Sequence, residues 1–158
     1  MTNTITPFLW FDDKAEEAAN FYVSVFKNSK MLAVSRYGDA GPGPKGTVMV
    51  ANFQLDGQEF AALNGGPLFK FTEATSFVVK CENQQEVDEF WEKLSEGGSR
   101  GQCGWLKDKY GLSWQIVPAV LPTLMQESDP QKAARIMKAL MQMKKVDIKA
   151  LEQARDQG

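Results

Sequence analysis

The feature that most constrains this chain is an internal repeat. Displaced by 69 residues, the sequence meets itself: Phe8 falls on Phe77, Asp13 on Glu82, Glu17 on Glu86, Phe21 on Phe90, Tyr22 on Trp91 and Val25 on Leu94. A strand, an acidic helix start, a helix face and an aromatic pair therefore recur in order, and a fold for this chain must build the same unit twice.

The first copy reads as a strand over Ile5 to Phe11, then a helix from Lys14 whose apolar positions Ala15, Ala18, Ala19, Phe21, Tyr22, Val25 and Phe26 lie at helical spacing. Asp12 or Asp13 is expected to cap that helix, and Glu16 and Glu17 suit its first turn. Two strands follow, "KMLAVSRYG" and "GTVMVANFQL", and Asp56-Gly57 predicts a tight hairpin into "EFAALNGG". The intervening "GDAGPGPKG" is rich enough in Gly and Pro to be read as an exposed, mobile loop and a candidate lid.

The second copy begins with "TSFVVKCEN", a strand, and "QQEVDEFWEKLSEGG", a helix closed by glycine. Its hairpin glycine, Gly111, stands only 54 residues after Gly57, so this copy is 15 residues shorter between helix and final strands. The loss is assigned to its second strand, leaving β-α-β-β with at most a vestige of the missing one. Beyond Pro118, Asp129-Pro130 starts a helix with Ile136, Leu140 and Met143 on one stripe, and Asp147 is placed to cap a last helix. Met137, Met141 and Met143 are expected to pack against the body or a second subunit.

The expected class is therefore α+β, with two tandem βαβββ-type repeats, the second shortened, and C-terminal helices. Residues 1–118 form one domain (repeat 1 about 5–65, repeat 2 about 74–118), and 119–158 form a helical extension on the domain or a dimer partner. The chain of 158 residues suits one domain with a real core. It holds no apolar run of membrane-spanning length and starts unlike a signal peptide, so a cytoplasmic location and no membrane are expected.

Histidine is absent, which removes the commonest general base and transition-metal ligand. The two cysteines, Cys81 and Cys103, are read as free thiols. Residues 1–129 carry 11 Lys/Arg against 17 Asp/Glu, whereas residues 130–158 carry 7 against 3. The basic tail mixes its cations with acids and has no aromatic residue, so no nucleic-acid partner is expected.

The duplicated unit, and especially "ITPFLWFDDKAEEAANFYVSVFKNS", "CGWLKDKYGLSWQIVP" and "AARIMKALMQMKKVDIKALEQA", resembles the PhnB-like branch of the vicinal oxygen chelate superfamily. That branch is often labelled as a 3-demethylubiquinone 3-methyltransferase domain; glyoxalase I, extradiol dioxygenases and antibiotic-resistance proteins share the superfamily. The resemblance implies curved sheets facing one another around a pocket, and a homodimer. It also implies a divalent metal held from first and last strands, acting as a Lewis acid on neighbouring substrate oxygens.

Carried onto this chain, those ligand positions fall near Pro7 and Phe8, near Ser76 and Phe77, on the apolar stretch Phe60 to Leu63, and on Gln115. One amide among apolar residues does not make a divalent site, so no metal and no cofactor are expected. The pocket implied by the resemblance would then be lined by Phe8, Trp10, Tyr37, Phe77, Trp105 and Trp114, with Asn64, Cys103 and Gln115 as polar contacts. Such walls suit a flat or apolar small-molecule ligand. Enzymatic alternatives find less support: "LNGGP" is an isolated glycine-rich turn and reads as the link between repeats, and Cys103 beside Lys107 and Arg100 has no histidine to activate it.

Overall fold

In the computed structural model, residues 4–157 are described and form two compact units, divided along the chain between Phe71 and Thr72. Each carries one four-stranded sheet with a helix against one face.

The first unit runs β1 (Phe8–Phe11), α1 (Ala15–Val25), β2 (Lys30–Arg36), β3 (Val48–Leu55) and β4 (Gln58–Asn64). Its sheet order is β1-β4-β3-β2, with β1 parallel to β4 and the other pairs antiparallel. The first strand is shorter than the sequence predicts, although the Pro7 carbonyl still accepts from Ala61 N. The hairpin forms on Asp56 and Gly57, at φ 47° and 82°, as a type I′ turn requires.

Pleating divides the sheet into two faces. Leu9, Phe11, Ala51, Phe53, Leu55, Phe60 and Ala62 are buried, as are Ala15, Ala18, Ala19, Tyr22 and Val25 of α1. Phe8, Trp10, Leu63, Val50 and Asn52 lie on the opposite, helix-free face and are half-buried or exposed.

The second unit runs β5 (Ser76–Cys81), α2 (Gln84–Ser95), β6 (Ser99–Arg100), β7 (Trp105–Lys107) and β8 (Ser113–Pro118), in the equivalent order β5-β8-β7-β6. The missing strand is present as the two residues of β6, and β7 has only three against eight in β3, so both middle strands and their connection are shortened. The pleat again alternates: Val79, Cys81, Trp114, Ile116 and Leu106 are buried on the helix side, while Ser76, Val78, Gln115 and Trp105 share the other face by register.

The repeat has a one-residue slip between its strand and its helix. Tyr22 and Trp91, and Val25 and Leu94, are equivalent buried helix positions at the 69-residue displacement. The strands match at 70: Leu9 with Val79 and Phe11 with Cys81 are the inward pairs. Phe8 is thus the counterpart of Val78, both paired to the residue four beyond the hairpin glycine. The sequence pairing of Phe8 with Phe77 is corrected accordingly, because a slip of one residue turns a side chain to the other face.

Three helices complete the second unit: α3 (Leu121–Met125), α4 (Pro130–Met141) and α5 (Ile148–Asp156). Asp129 caps α4 through Gln131 N at 2.9 Å, and Asp147 caps α5 through Ala150 N at 3.1 Å, as read from the sequence. Leu124, Ile136, Leu140, Val146 and Leu151 form their core.

The stretch between α4 and α5 is tied to the repeat. Cys103 N and Gly104 N donate to Met143 O and Lys144 O, while the Gln84 amide donates to Val146 O and accepts from Ile148 N. The Gln84 amide and the Lys145 ammonium both bond Asp88 and hold its carboxyl below the usual carboxylate range. Of the three methionines expected to pack, only Met143 does so within this chain; Met137 and Met141 stand exposed on the outer side of α4. No helix among the described residues is long and apolar enough to cross a membrane.

Candidate functional site

The nine residues read from the sequence as pocket residues separate into two groups. Tyr37, Asn64, Phe77, Cys103 and Trp114 are engaged by the fold; Phe8, Trp10, Trp105 and Gln115 lie on helix-free sheet faces.

Asn64 ends β4 and links three parts of the first unit. Its Oδ1 accepts from Ala15 N at 2.8 Å, its Nδ2 donates to Val48 O at 3.1 Å, and its carbonyl accepts from the Tyr37 hydroxyl. The first N–H of α1 is therefore satisfied from a distant strand, and the expected capping by Asp12 or Asp13 is replaced: Lys14 is the N-cap and no side chain caps locally.

Tyr37 is buried because the Gly/Pro-rich loop folds over it. A Cβ on Gly41 or Gly43 would meet the Tyr37 ring at 2.7 or 2.3 Å, so these glycines permit the close approach. Tyr37 N donates to Thr47 O, Gly46 N returns to Tyr37 O, and Arg36 and Lys45 bond Gly46 O and Asp39. The loop expected to be mobile is thus closed on its own hydrogen bonds. It walls a cleft of about 720 Å³ with the start of α1 and residues Asn64, Gly65 and Gly66.

Phe77 lies on the helix side of β5, its ring 5.7 Å from that of Trp114. Trp114 donates its indole N–H to Asp108 Oδ2 at 2.8 Å, while Asp108 Oδ1 accepts from Tyr110 N and Leu112 N. This buried carboxylate therefore organises the turn that precedes β8. Cys103, at φ 58°, points its Sγ to Leu140 O at 3.5 Å, against the C-terminal helices. Burial pushes the other thiol, Cys81, up to about 12, with the charges of Glu86 and Glu82 adding to the effect.

On the open face of the first unit, Trp10 is held rigidly. Its Nε1 donates to Gly66 O at 2.9 Å, a Cβ on Gly65 would meet its ring at 2.4 Å, and Phe69 packs edge-on with centroids 4.9 Å apart. Phe8, Leu68 and Phe69 are 59–74% exposed, giving a large uncovered apolar area for a single unit.

On the open face of the second unit, Gln115 stands between Val78 and Trp105 as their register partner. Its Nε2 donates to Ser76 Oγ at 2.9 Å. Sequence reading missed Ser113, two residues earlier on the same strand, whose buried hydroxyl has no hydrogen-bond partner among the described residues. The signal was present in "SWQ", a polar-apolar-polar alternation within an otherwise hydrophobic strand.

These faces do not fit a divalent cation. The pair from β1 and β4 is Phe8 and Ala61, without a donor atom, and the pair from β5 and β8 is Val78 and Gln115, whose one amide is already bonded to Ser76. Among the described residues no three His, Cys, Asp or Glu side chains gather into a metal-binding set.

Comparison with known proteins agrees with the architecture. The model of the 3-demethylubiquinone-9 3-methyltransferase family matches residues 3–117. A solved PhnB protein of Bacillus cereus, described as a 3-demethylubiquinone-9 3-methyltransferase, is 43% identical over 74% of this chain and 100% of its own, with a TM-score of 0.69. Protein PA1353 of Pseudomonas aeruginosa (21% identity, 74% and 98% coverage, TM-score 0.62) shares the fold. So does FosX of Listeria monocytogenes, a fosfomycin resistance protein solved with Mn(II) and sulfate (15% identity, 80% and 97% coverage, TM-score 0.55). A search of curated proteins gave no match. The C-terminal helices lie beyond the matched region, and the repeats before them place this chain in the 3-demethylubiquinone-9 3-methyltransferase family, the PhnB-like branch of the vicinal oxygen chelate superfamily.

Proposed function

We infer that this protein binds a small planar or apolar ligand without a metal ion, on the helix-free sheet faces that carry Phe8 and Trp10 in the first unit and Trp105 and Gln115 in the second. The observation that carries the reading is Trp10, an indole fixed by Gly65 and Gly66 with exposed Phe8, Leu68 and Phe69 beside it. A rigid aromatic surface loses little conformational entropy when a flat molecule stacks on it. Proton transfer is not required, consistent with a chain that has no histidine.

The family description and the Bacillus cereus relative favour a second reading, transfer of a methyl group to a quinol-type oxygen. Against it stands the path of the chain: after β4, "LNGGP" enters the connection to β5 rather than a helix, so its glycines do not form the strand-turn-helix cradle used by common S-adenosylmethionine enzymes. Titration followed by Trp fluorescence, with planar aromatics and with S-adenosylmethionine, separates the readings. The first predicts saturable response to planar compounds alone, weakened by Trp10→Ala; tight binding of S-adenosylmethionine replaces it with the second.

We further propose that a homodimer forms through α4, whose Met137 and Met141 are uncovered in the single chain. Light scattering at micromolar concentration should give twice the monomer mass, and a monomer there removes the proposal.

A further inference from the structure

The open face of the second sheet carries a polar group whose arrangement narrows the class of ligand. Ser76 and Ser113 are direct register partners across the parallel pair β5 and β8, and Gln115 follows two residues on, on the same face. Gln115 Nε2 donates to Ser76 Oγ, so the proton of the Ser76 hydroxyl is left to donate elsewhere. Ser113 Oγ is buried and has no partner among the described residues. The two hydroxyls on one rung therefore do not bond one another, although strands lie only about 4.8 Å apart.

Left without each other, the two hydroxyls can both donate to one acceptor oxygen placed between them, each at an ordinary distance of about 2.8 Å. A buried hydroxyl without a partner costs about 1–3 kcal/mol, and native proteins seldom leave such a group unanswered. Ser113 forms the floor of this arrangement, and the half-buried Ser76 and Gln115 form its rim.

None of the three side chains is charged. Lys107, the register partner of Ser113 on the other side, is ion-paired with Glu73, so its charge is compensated. An anionic phosphate or carboxylate would find no free cation in the trio, and a cation would find no anion. Trp105, the register partner of Gln115, offers the adjoining aromatic surface.

We propose that Ser76, Ser113 and Gln115 form a subsite for the neutral carbonyl oxygen of a planar ligand, with Ser113 supplying the discriminating hydrogen bond. This rests on the ligand-binding reading above and deepens it from a planar compound to a planar carbonyl compound. Ser113 takes no part in chemistry; it recognises.

The test compares fluorenone with fluorene, which share a planar ring system and differ in the carbonyl, by Trp fluorescence titration of the full chain. Wild type should bind fluorenone about tenfold more tightly, the equivalent of one well-made hydrogen bond. Ser113→Ala should abolish that preference while leaving the affinity for fluorene unchanged, and Ser113→Thr should retain most of it. Because Ser113→Ala removes a hydroxyl that bonds nothing in the free protein, its thermal midpoint should equal or exceed that of wild type.

Equal binding of both compounds by wild type, or a preference that survives in Ser113→Ala, overturns the subsite while leaving planar-ligand binding intact. The first outcome would mean that the hydroxyls hold only water. Failure of both compounds to bind removes the ligand reading and this inference with it.

Discussion

The two repeats reach one topology by opposite local means. In the first unit the hairpin is a two-residue Asp56-Gly57 turn whose amides donate outward, to Ser29 Oγ at 3.1 Å and to Asn28 O, and the start of α1 depends on Asn64, 49 residues beyond Ala15. In the second unit α2 is capped by its neighbours: Asn83 Oδ1 accepts from Glu86 N, and Glu86 Oε2 accepts from Glu82 N. Its hairpin, by contrast, is a longer turn built around the buried Asp108 carboxylate. The backbone groups that need partners recur with the fold; the residues supplying those partners do not.

That contrast can be broken from either side, and the largest effect is expected at Asp108. Replacing it by Asn sets an N–H where the Trp114 indole or the turn amides require an acceptor, and should cost about 3 kcal/mol in urea unfolding. Loss of less than about 1 kcal/mol would show that the turn stands without the carboxylate. Asn64→Ala leaves Ala15 N without its partner and releases Val48 O, for an expected loss of about 2 kcal/mol measured the same way.

The local cap of α2 should matter less. Asn83→Ala is expected to cost about 1 kcal/mol, since Glu86 and water can cover part of the loss. A cost equal to that of Asn64→Ala would erase the distinction between local and distant capping.

Equivalent positions Phe11 and Cys81 sharpen the comparison further, because only the second can titrate. Folding raises the Cys81 thiol from its ordinary 9.0 to about 12, so the neutral form is favoured in the native state. Any contribution from this group is fully present below about pH 9 and is lost as pH rises toward 12, where the unfolded chain ionises first. Cys81→Ala should therefore flatten part of the alkaline fall in stability, read from unfolding midpoints between pH 8 and 11. An unchanged alkaline slope would contradict this.

Much of the architecture was legible because it rests on periodicity: helix stripes, alternating strands, the Asp-Gly hairpin and the caps at Asp129 and Asp147 all stand where local chemistry puts them. What escaped was long-range or depended on a single residue of phase. Phe8 and Phe77 coincide in sequence yet face opposite ways, since the 69-residue repeat of the helices becomes 70 in the strands. Asn64 looked like a ligand contact because nothing near it in sequence shows that it holds a helix start.

The same limit applies to the candidate site. Gln115 and the aromatic residues were visible as residue types, but their division between helix-covered and helix-free faces required the register. Ser113 became notable only through the absence of a partner, which no sequence pattern records.

The central claim is that the open faces bind a planar ligand and do so without metal. It is tested most directly by Trp fluorescence titration with fluorene, a planar compound without a carbonyl, in EDTA and again with Mn(II), for wild type and Trp10→Ala. The account predicts the same dissociation constant under both conditions for wild type and a loss of about tenfold or more in the variant. Binding that requires Mn(II), together with a Mn(II)-induced thermal stabilisation that Gln115→Ala removes, would contradict it.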